Sequence, residues 1–553
     1  MKITVAELIR RKIEEWKVED VPIFQGGAIM NVLSEISKSK KIKHYCPYHE
    51  QALSMGVDAY SRIKGFGVGL VTSGPGATNL TTGIACSFYD SIPSIYFTGQ
   101  VGQFHITGKR RVRQRGFQES DIVSLLKPIT KFCYQIEKSS EANYILDKAY
   151  HIATSGRPGP VVIDLPFNIQ KSFIEIEKSK KFIVKKRVFN KKKLIKKALE
   201  SLRVSKKPLI IGGGGLRIAN QIKEFHKFIE KNKLPFATTW PAQDITASKN
   251  KFYFGSVGRH AHLSATNLAI DADIILTFGV RFSPKVLANN FGKNAKIFAI
   301  DIDNGELNDG LIEPDIKINC SLEHFFTHQN LKEMPEKKEW LKKCRLEKTN
   351  NYRNFTELKK KEIKKYVNPY IFTETLSKLV KDDAILLTDA GANLTFFMQA
   401  FQTKKNQRVI SAWGNSPMGY SVAAGIGAKI AKKNTQVISL IGDGSFLINL
   451  QELQFIKFNK IALKIVIYDN KVFGNTKIGC RDYKINSIGN DKQGGYHSPE
   501  VPKIAKAFNI KYFYLKNNIN EKKIINNFLK FKGSSILHLN INKNHELIEH
   551  SVK

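Results

Sequence analysis

The chain has 553 residues and carries 88 Lys and Arg against 49 Asp and Glu, a formal charge of +39. Forty-two per cent apolar and 25% charged residues is a globular balance, which excludes wholesale disorder. No apolar run reaches the roughly 18 residues of a membrane span, and six scattered cysteines without a CxxC pair exclude a disulfide framework and argue against a structural zinc site.

The opening MKITVAELIRRKIEEW reads as an amphipathic helix with no apolar core ahead of a cleavage site, so a cytoplasmic protein is expected. Residues 1–170 then alternate helical and strand-like stretches. FGVGLVTSG and SIPSIYFTG end in glycine and polar residues, the rhythm of a parallel α/β sheet. SGRPGPVVIDLP reads as a loop and a buried strand. Residues 171–207 hold 15 Lys and Arg against three acids, and 171–195 reads as a basic linker. Nucleic-acid modules interleave such charge with a reading element, and none is present, so a solvated surface is expected and no nucleic-acid partner. A second α/β unit, 196–330, starts at PLIIGGGG and continues through ADIILTFGVRF and KIFAIDIDN. Residues 331–367 are charged and poor in β-branched residues, which predicts a helical linker. A third unit, 368–553, has the strands AILLTDAG, TQVISLIGDG, ALKIVIYDN and SSILHLNI. The fold class is therefore α/β, with three doubly wound parallel sheets.

The sharpest motif lies in VISLIGDGSFLINLQELQFIKFNKIALKIVIYDN. A strand ends at Gly442-Asp443-Gly444-Ser445. A helix over roughly 447–458 follows, and a second strand, 463–468, ends at Asp469-Asn470. A right-handed crossover puts both strand ends on one sheet edge, so Asp443 and Asn470 face one site. Glycines let phosphate approach the backbone, and a carboxylate with an amide oxygen suits Mg²⁺.

This segment resembles the thiamine-diphosphate motif, and other stretches agree along nearly the whole chain. YHEQALSMGVDAYSR is similar to the catalytic-glutamate helix of the acetohydroxyacid (acetolactate) synthase family. VTSGPGATNLTTGIACSFYDSIPSIYFTGQV resembles its pyrimidine-domain signature, and SPMGYSVAAGIGA the segment supporting the thiazolium. The resemblance implies three domains: pyrimidine-binding (1–170), middle (196–330) and diphosphate-binding (368–553). It implies that Glu50 hydrogen-bonds the cofactor's aminopyrimidine, and that Asp443, Asn470 and the Val472 carbonyl ligate Mg²⁺. Gly442, Gly444, Ser445 and Gly474 fall in the diphosphate cradle, and Met418 matches the residue under the bent cofactor. Gly26 and Gly27 match a loop near the reactive centre, while Phe117 and Gln118 match the substrate side. The same residues read locally as a surface glutamate, a core methionine and ordinary turns. The family further implies a homodimer or homotetramer.

Four departures concern the carbonyl acceptor. A Pro-Gly-Gly loop reads Gln25-Gly26-Gly27. A tryptophan position falls, by ungapped count from Asn470, at Gly479. An acidic-acidic-Arg run reads Ser283-Pro284-Lys285. The loop between Val101 and Phe117 is about six residues longer than in the synthases and holds Lys109, Arg110, Arg111, Arg113 and Arg115. RVRQRGFQESDIVSLLKPITKF and GANLTFFMQAFQ resemble the subgroup associated with surface-polysaccharide sugar biosynthesis. Arg111 and Arg113 either meet an anionic acceptor or stand in a solvated loop. In the middle unit, GGGGLRIAN is not a GxGxxG fingerprint, so FAD binding, with Arg259 and Arg281 as candidate contacts to flavin or acceptor, stays open beside a purely structural glycine turn.

The expected activity is a carboligase that decarboxylates pyruvate or a similar 2-ketoacid and adds the acyl unit to a second carbonyl compound, one acceptor class being a nucleotide-linked ketosugar. The alternatives are a simple 2-ketoacid decarboxylase and a non-catalytic basic binding protein on the same fold. The absence of an adjacent histidine pair disfavours the first, and intact Glu50, Asp443 and Asn470 disfavour the second.

Overall fold

The computed structural model describes residues 2–184, 187–287, 290–329, 334–358, 364–545 and 547. Three parallel sheets organise them. In the N-terminal unit the strands Asp20–Pro22 and Lys43–Tyr45 pair with each other, and an Ile23–Leu70 bridge joins them to the strands that follow. Those are Gly67–Val71, Ser94–Gln100, Phe132–Gln135 and Pro160–Pro166. Counted along the chain, the six run second-first-third-fourth-sixth-fifth across the layer. The C-terminal sheet, from Ile385–Thr388 to Ser535–Asn540, has the same order. The middle sheet, from Pro208–Gly212 to Ile316–Asn319, runs third-second-first-fourth-fifth-sixth, the order of dinucleotide-binding folds. Its central strands are buried on both faces, as expected when helices cover both sides of a parallel sheet.

The connecting segments are more structured than their composition suggests. Within 171–195, the strand Phe173–Glu175 pairs antiparallel with Lys2–Thr4, and the helix Lys192–Val204 begins. The segment 331–367 contains the helix Lys338–Leu358. Trp340, Leu341 and Cys344 bury its first turns in the middle-domain core, and the Trp340 indole donates to the Pro208 carbonyl at 2.8 Å.

The first and third units meet through two helices, Glu50–Lys64 and Tyr420–Ala431. Ala52, Met55 and Ala59 from one helix share a core with Val422, Ala423 and Ile426 of the other. The backbones come so close that a Cβ on Gly427 would sit 2.0 Å from the Gly56 carbonyl oxygen. Gly56 itself has more room, since its Cβ would meet nothing nearer than 3.6 Å.

Gly427→Ala should therefore lower the melting temperature by a few degrees, because overpacking costs about 1–3 kcal/mol. Gly56→Ala should stay close to the parent. Thermal unfolding followed by circular dichroism compares the two, and equal melting temperatures would contradict the crossing geometry.

Candidate active site

The helix carrying Glu50 starts where it does because the His49 ring accepts the Gln51 N–H at 3.0 Å, and it ends at Gly65 in the left-handed region, φ 90°. Although it opens a helix, Glu50 is only 6% exposed. Asn79 Nδ2 donates to Glu50 Oε2 at 2.9 Å. Asn79 follows the short helix Pro75–Thr78, beyond the strand Gly67–Val71. A Cβ on Gly76 would lie 2.8 Å from Thr72 Cγ2 and 3.6 Å from Glu50 Oε1, and one on Gly26 would lie 2.4 Å from Thr72. Gly26, Thr72, Gly76 and Glu50 thus form one wall. Gly27 opens the short 3₁₀ turn Gly27–Ile29 beside it. Gly74, with φ 57°, approaches the Gln118 carbonyl, where a Cβ would stand 2.8 Å away. That contact brings Phe117 and Gln118 to the same edge, with Phe117 86% exposed.

The long basic loop is tied at its base. The Glu119 carboxylate accepts Thr107 N–H, the Thr107 hydroxyl at 2.6 Å, Arg115 N–H at 2.9 Å and Gly116 N–H at 3.3 Å. Burial pushes that carboxyl up, but these donors outweigh it and hold it below its ordinary range. The Arg115 guanidinium covers the Phe104 ring at 4.4 Å. Lys109, Arg110, Arg111 and Arg113 stand exposed at the tip.

In the C-terminal unit the strand Val437–Gly442 delivers Asp443, and Leu463–Asp469 delivers Asn470. The predicted helix 447–458 is interrupted. A turn of helix, Asp443–Phe446, is followed by a break at Asn449, φ 72°, and then by Glu452–Phe458. Asp443 is buried, and its Oδ2 accepts the Tyr496 hydroxyl at 2.8 Å. Burial first, and then the nearby Asp469, push its carboxyl up to about 6. Asn470 Oδ1 accepts the Val472 N–H at 3.3 Å, and its Nδ2 lies 3.1 Å from where a Cβ on Gly474 would be. A Cβ on Gly444 would strike the Phe473 ring at 2.4 Å, whereas nothing lies within 4 Å of one on Gly442. Ser445 is buried, and Met418 is half-buried just before the helix Tyr420–Ala431.

A cavity of about 440 Å³ opens where the three units meet. Gly214, Gly215 and Arg217 line it after the first middle-domain strand, together with Arg281, Arg62 and Trp413. It lies at the point where the middle sheet's strand order reverses, the place such folds bind ligands. The loops there are pressed together: a Cβ on Gly213 would fall 2.0 Å from the Gly279 carbonyl oxygen. Arg259 is exposed on a neighbouring loop, apart from the cavity lining.

The chain matches the thiamine pyrophosphate enzyme models for the N-terminal TPP-binding domain (3–125), the central domain (195–327) and the C-terminal TPP-binding domain (389–539). It belongs to the thiamine pyrophosphate enzyme family. Among its relatives is the acetolactate synthase large subunit of Lactococcus lactis, 32% identical over 485 residues, 85% of this chain and 81% of the relative. The probable acetolactate synthase large subunit of Methanocaldococcus jannaschii is 32% identical over 537 residues, 92% and 86% of the two chains. Acetolactate synthase 2, chloroplastic, of Nicotiana tabacum is 29% identical over 525 residues, 91% and 76%.

The chain is thus a thiamine-diphosphate-dependent enzyme of the acetolactate synthase type, and the residues at both sheet edges suit its cofactor. Buried Glu50 and half-buried Asn79 offer an acceptor and a donor suited to a heteroaromatic ring, and a Cβ on Gly442 would meet nothing within 4 Å, so the strand end is unobstructed. Among the described residues no helix is long and apolar enough to cross a membrane.

Four further residues hold the candidate site residues in place or adjoin them. Asn79 and Thr72 lie inside the quoted VTSGPGATN stretch, where polar residues breaking an apolar run were the available signal. Tyr496 is 53 residues from Asp443 and carries no local signal. Glu452, fully buried, accepts the Tyr48 N–H at 2.9 Å and so holds the loop leading into Glu50.

Glu452 generates a pH prediction. Burial pushes its carboxyl from 4.5 up to about 7, so the folded chain favours the protonated form. Stability is then lost as pH rises from about 4.5 to about 7. Glu452→Gln keeps an acceptor for Tyr48 and is neutral throughout. It should melt above the parent at pH 8 and level with it near pH 4.5; the same difference at both pH values would refute this.

Proposed function

We propose that the chain is a carboligase that decarboxylates pyruvate, or a similar 2-ketoacid, and joins the remaining acyl unit to a second carbonyl compound in the cytoplasm. One observation supports this most directly. Glu50 with Asn79 stands at one sheet edge and Asp443 with Asn470 at the edge of a sheet of the same topology, placements that suit a pyrimidine half-site and a diphosphate half-site. Bound thiamine diphosphate supplies the nucleophilic carbon and an electron sink. Glu50 holds a proton at the aminopyrimidine ring nitrogen. Asp443, Asn470 and the Val472 carbonyl are hard oxygen donors for Mg²⁺, and a cation relieves the crowding of Asp443 by Asp469. Gly442, Gly444, Ser445 and Gly474 hold the diphosphate, and Met418 supports the thiazolium. Gly26 and Gly27 let backbone approach the reacting carbonyl, with Phe117 and Gln118 flanking the substrate.

Exposed apolar side chains, Phe117 at 86% next to Gln118 and Tyr483 at 79% at the end of the helix Gly474–Asp482, favour a second copy covering them, in a homodimer or homotetramer. The three-domain cavity suits FAD. Its volume lies in the range of cofactor sites, its glycine loops allow close approach, and Arg281 faces it. Arg111 and Arg113, on a loop that ends at Phe117, favour an anionic acceptor such as a nucleotide-linked ketosugar of polysaccharide biosynthesis.

The test is product analysis with thiamine diphosphate, Mg²⁺ and pyruvate, with and without acceptors. Acetolactate from pyruvate alone supports the synthase reaction, and turnover only with a ketosugar nucleotide supports the sugar acceptor. Acetaldehyde as sole product would replace carboligation by simple decarboxylation. Glu50→Gln should reduce turnover about 100-fold or more, and near-normal turnover would overturn the assignment of Glu50. Arg111→Ala with Arg113→Ala should raise acceptor KM, while pyruvate KM stays at the parent value.

A further inference from the structure

Gly419, next to Met418, is held in an unusual way. It has φ 81°, and a Cβ there would fall 2.6 Å from Ile448 Cβ, so only glycine fits and the chain lies flat against Ile448. Its N–H donates to Asp389 Oδ1 at 3.0 Å, and the Ser421 N–H donates to Asp389 Oδ2 at 2.8 Å. Its carbonyl accepts Asn449 Nδ2 at 3.1 Å. Both Asp389 and Asn449 lie 30 positions from Gly419 in sequence. Asp389 follows the first strand of the C-terminal sheet, and Asn449 follows the turn after the third. An ordinary helix start is capped by its own neighbouring residue, so a grip from two residues distant in sequence is more than this helix requires.

Asp389 is 0% exposed, and the groups that face its carboxylate are the Gly419 and Ser421 N–H groups and the Ser421 and Ser445 side chains, with no Lys or Arg among them. A buried carboxylate without a cation is unfavourable for folding, so its place is explained by what it holds. Asn449 also comes within 3.7 Å of Met55 Sδ, on the helix that begins at Glu50.

We propose that Asp389 and Asn449 are positioning residues for thiamine diphosphate, gripping the peptide groups on both sides of Gly419 and thereby fixing Met418 against the cofactor. The inference rests on the reading of Met418 as the cofactor's support. It differs from a purely structural role in acting through a single neighbour.

The experiment titrates the full-length protein, freed of cofactor, with thiamine diphosphate and Mg²⁺. Calorimetry and tryptophan emission give Kd, Trp413 lying five positions before Met418. Asp389→Asn and Asn449→Ala should each raise Kd about tenfold, the worth of one buried hydrogen bond, and Met418→Ala, which removes the apolar support itself, should raise it at least as much. Cofactor-free melting temperatures should stay within a few degrees of the parent. The double variant Asp389→Asn with Met418→Ala should bind no more weakly than the weaker single variant. Parental affinity in Asp389→Asn and Asn449→Ala, with Met418→Ala weakened, overturns the proposal and leaves the Met418 reading standing. Parental affinity in Met418→Ala removes that reading and the proposal with it. Additive losses in the double variant also overturn it. Should Asp389→Asn fail to fold, the Asn449→Ala and Met418→Ala cycle decides on the same terms.

Discussion

Everything at the active site hangs on the crossing of two helices. Gly427 carries no side chain to hold Tyr420–Ala431 away from Glu50–Lys64, and the gap closes to contact with the Gly56 backbone. A buried polar cluster then fixes the rotation of one helix on the other. The Tyr420 hydroxyl donates to Asp58 at 2.5 Å, and Arg62 bridges Asp58 and Asp90 at 2.7 and 2.6 Å. Asp90 in turn accepts the N–H groups of Trp413 and Gly414, each at 2.8 Å. Breaking a buried pair by removing one partner costs about 3–5 kcal/mol, so this cluster tolerates little movement. One helix begins at Glu50 and the other just after Met418, so a single contact fixes the placement of both segments.

The same cluster reaches the three-domain cavity. Arg62 and Trp413 line its wall, and the Arg408 guanidinium donates to the Arg62 carbonyl at 3.2 Å while pairing with Asp244 of the middle domain at 3.1 Å. Burial pulls the Arg408 guanidinium down to about 10 despite Asp244. All three domains therefore contribute charge to one desolvated junction. It is distinct from the surface lysines that dominate the composition, and a net charge alone does not separate the two populations.

Local signals in the sequence carried far. Strand ends at Asp443 and Asn470 were legible because glycine, apolar run and spacing all lie within one crossover. The α/β class and the three units were legible from alternating apolar segments for the same reason. What escaped depends on distant pairing. The strand Phe173–Glu175 is visible only through its partner Lys2–Thr4, and sheet order is a property of neighbours, not of segments. The helix 447–458 looked continuous from its leucine spacing, yet Asn449 leaves helical geometry and turns its amide toward Gly419. A tertiary hydrogen bond there overrides a periodicity the sequence plainly contains. Asp389, Tyr496 and Glu452 were likewise silent, since each acts on a residue far along the chain.

The loop closed by Glu119 has an evolutionary consequence. Its stem is defined by Thr107, Arg115, Gly116 and the carboxylate they share, so its ends are fixed independently of what lies between them. The tip behaves as a cassette. Insertions and charge changes among residues 108–114 leave Gln118 seated against Gly74 and Glu50 in its wall. Length and charge at the tip can therefore change without passing strain to the wall that holds Glu50, so this loop can diverge while the fold beneath it stays fixed.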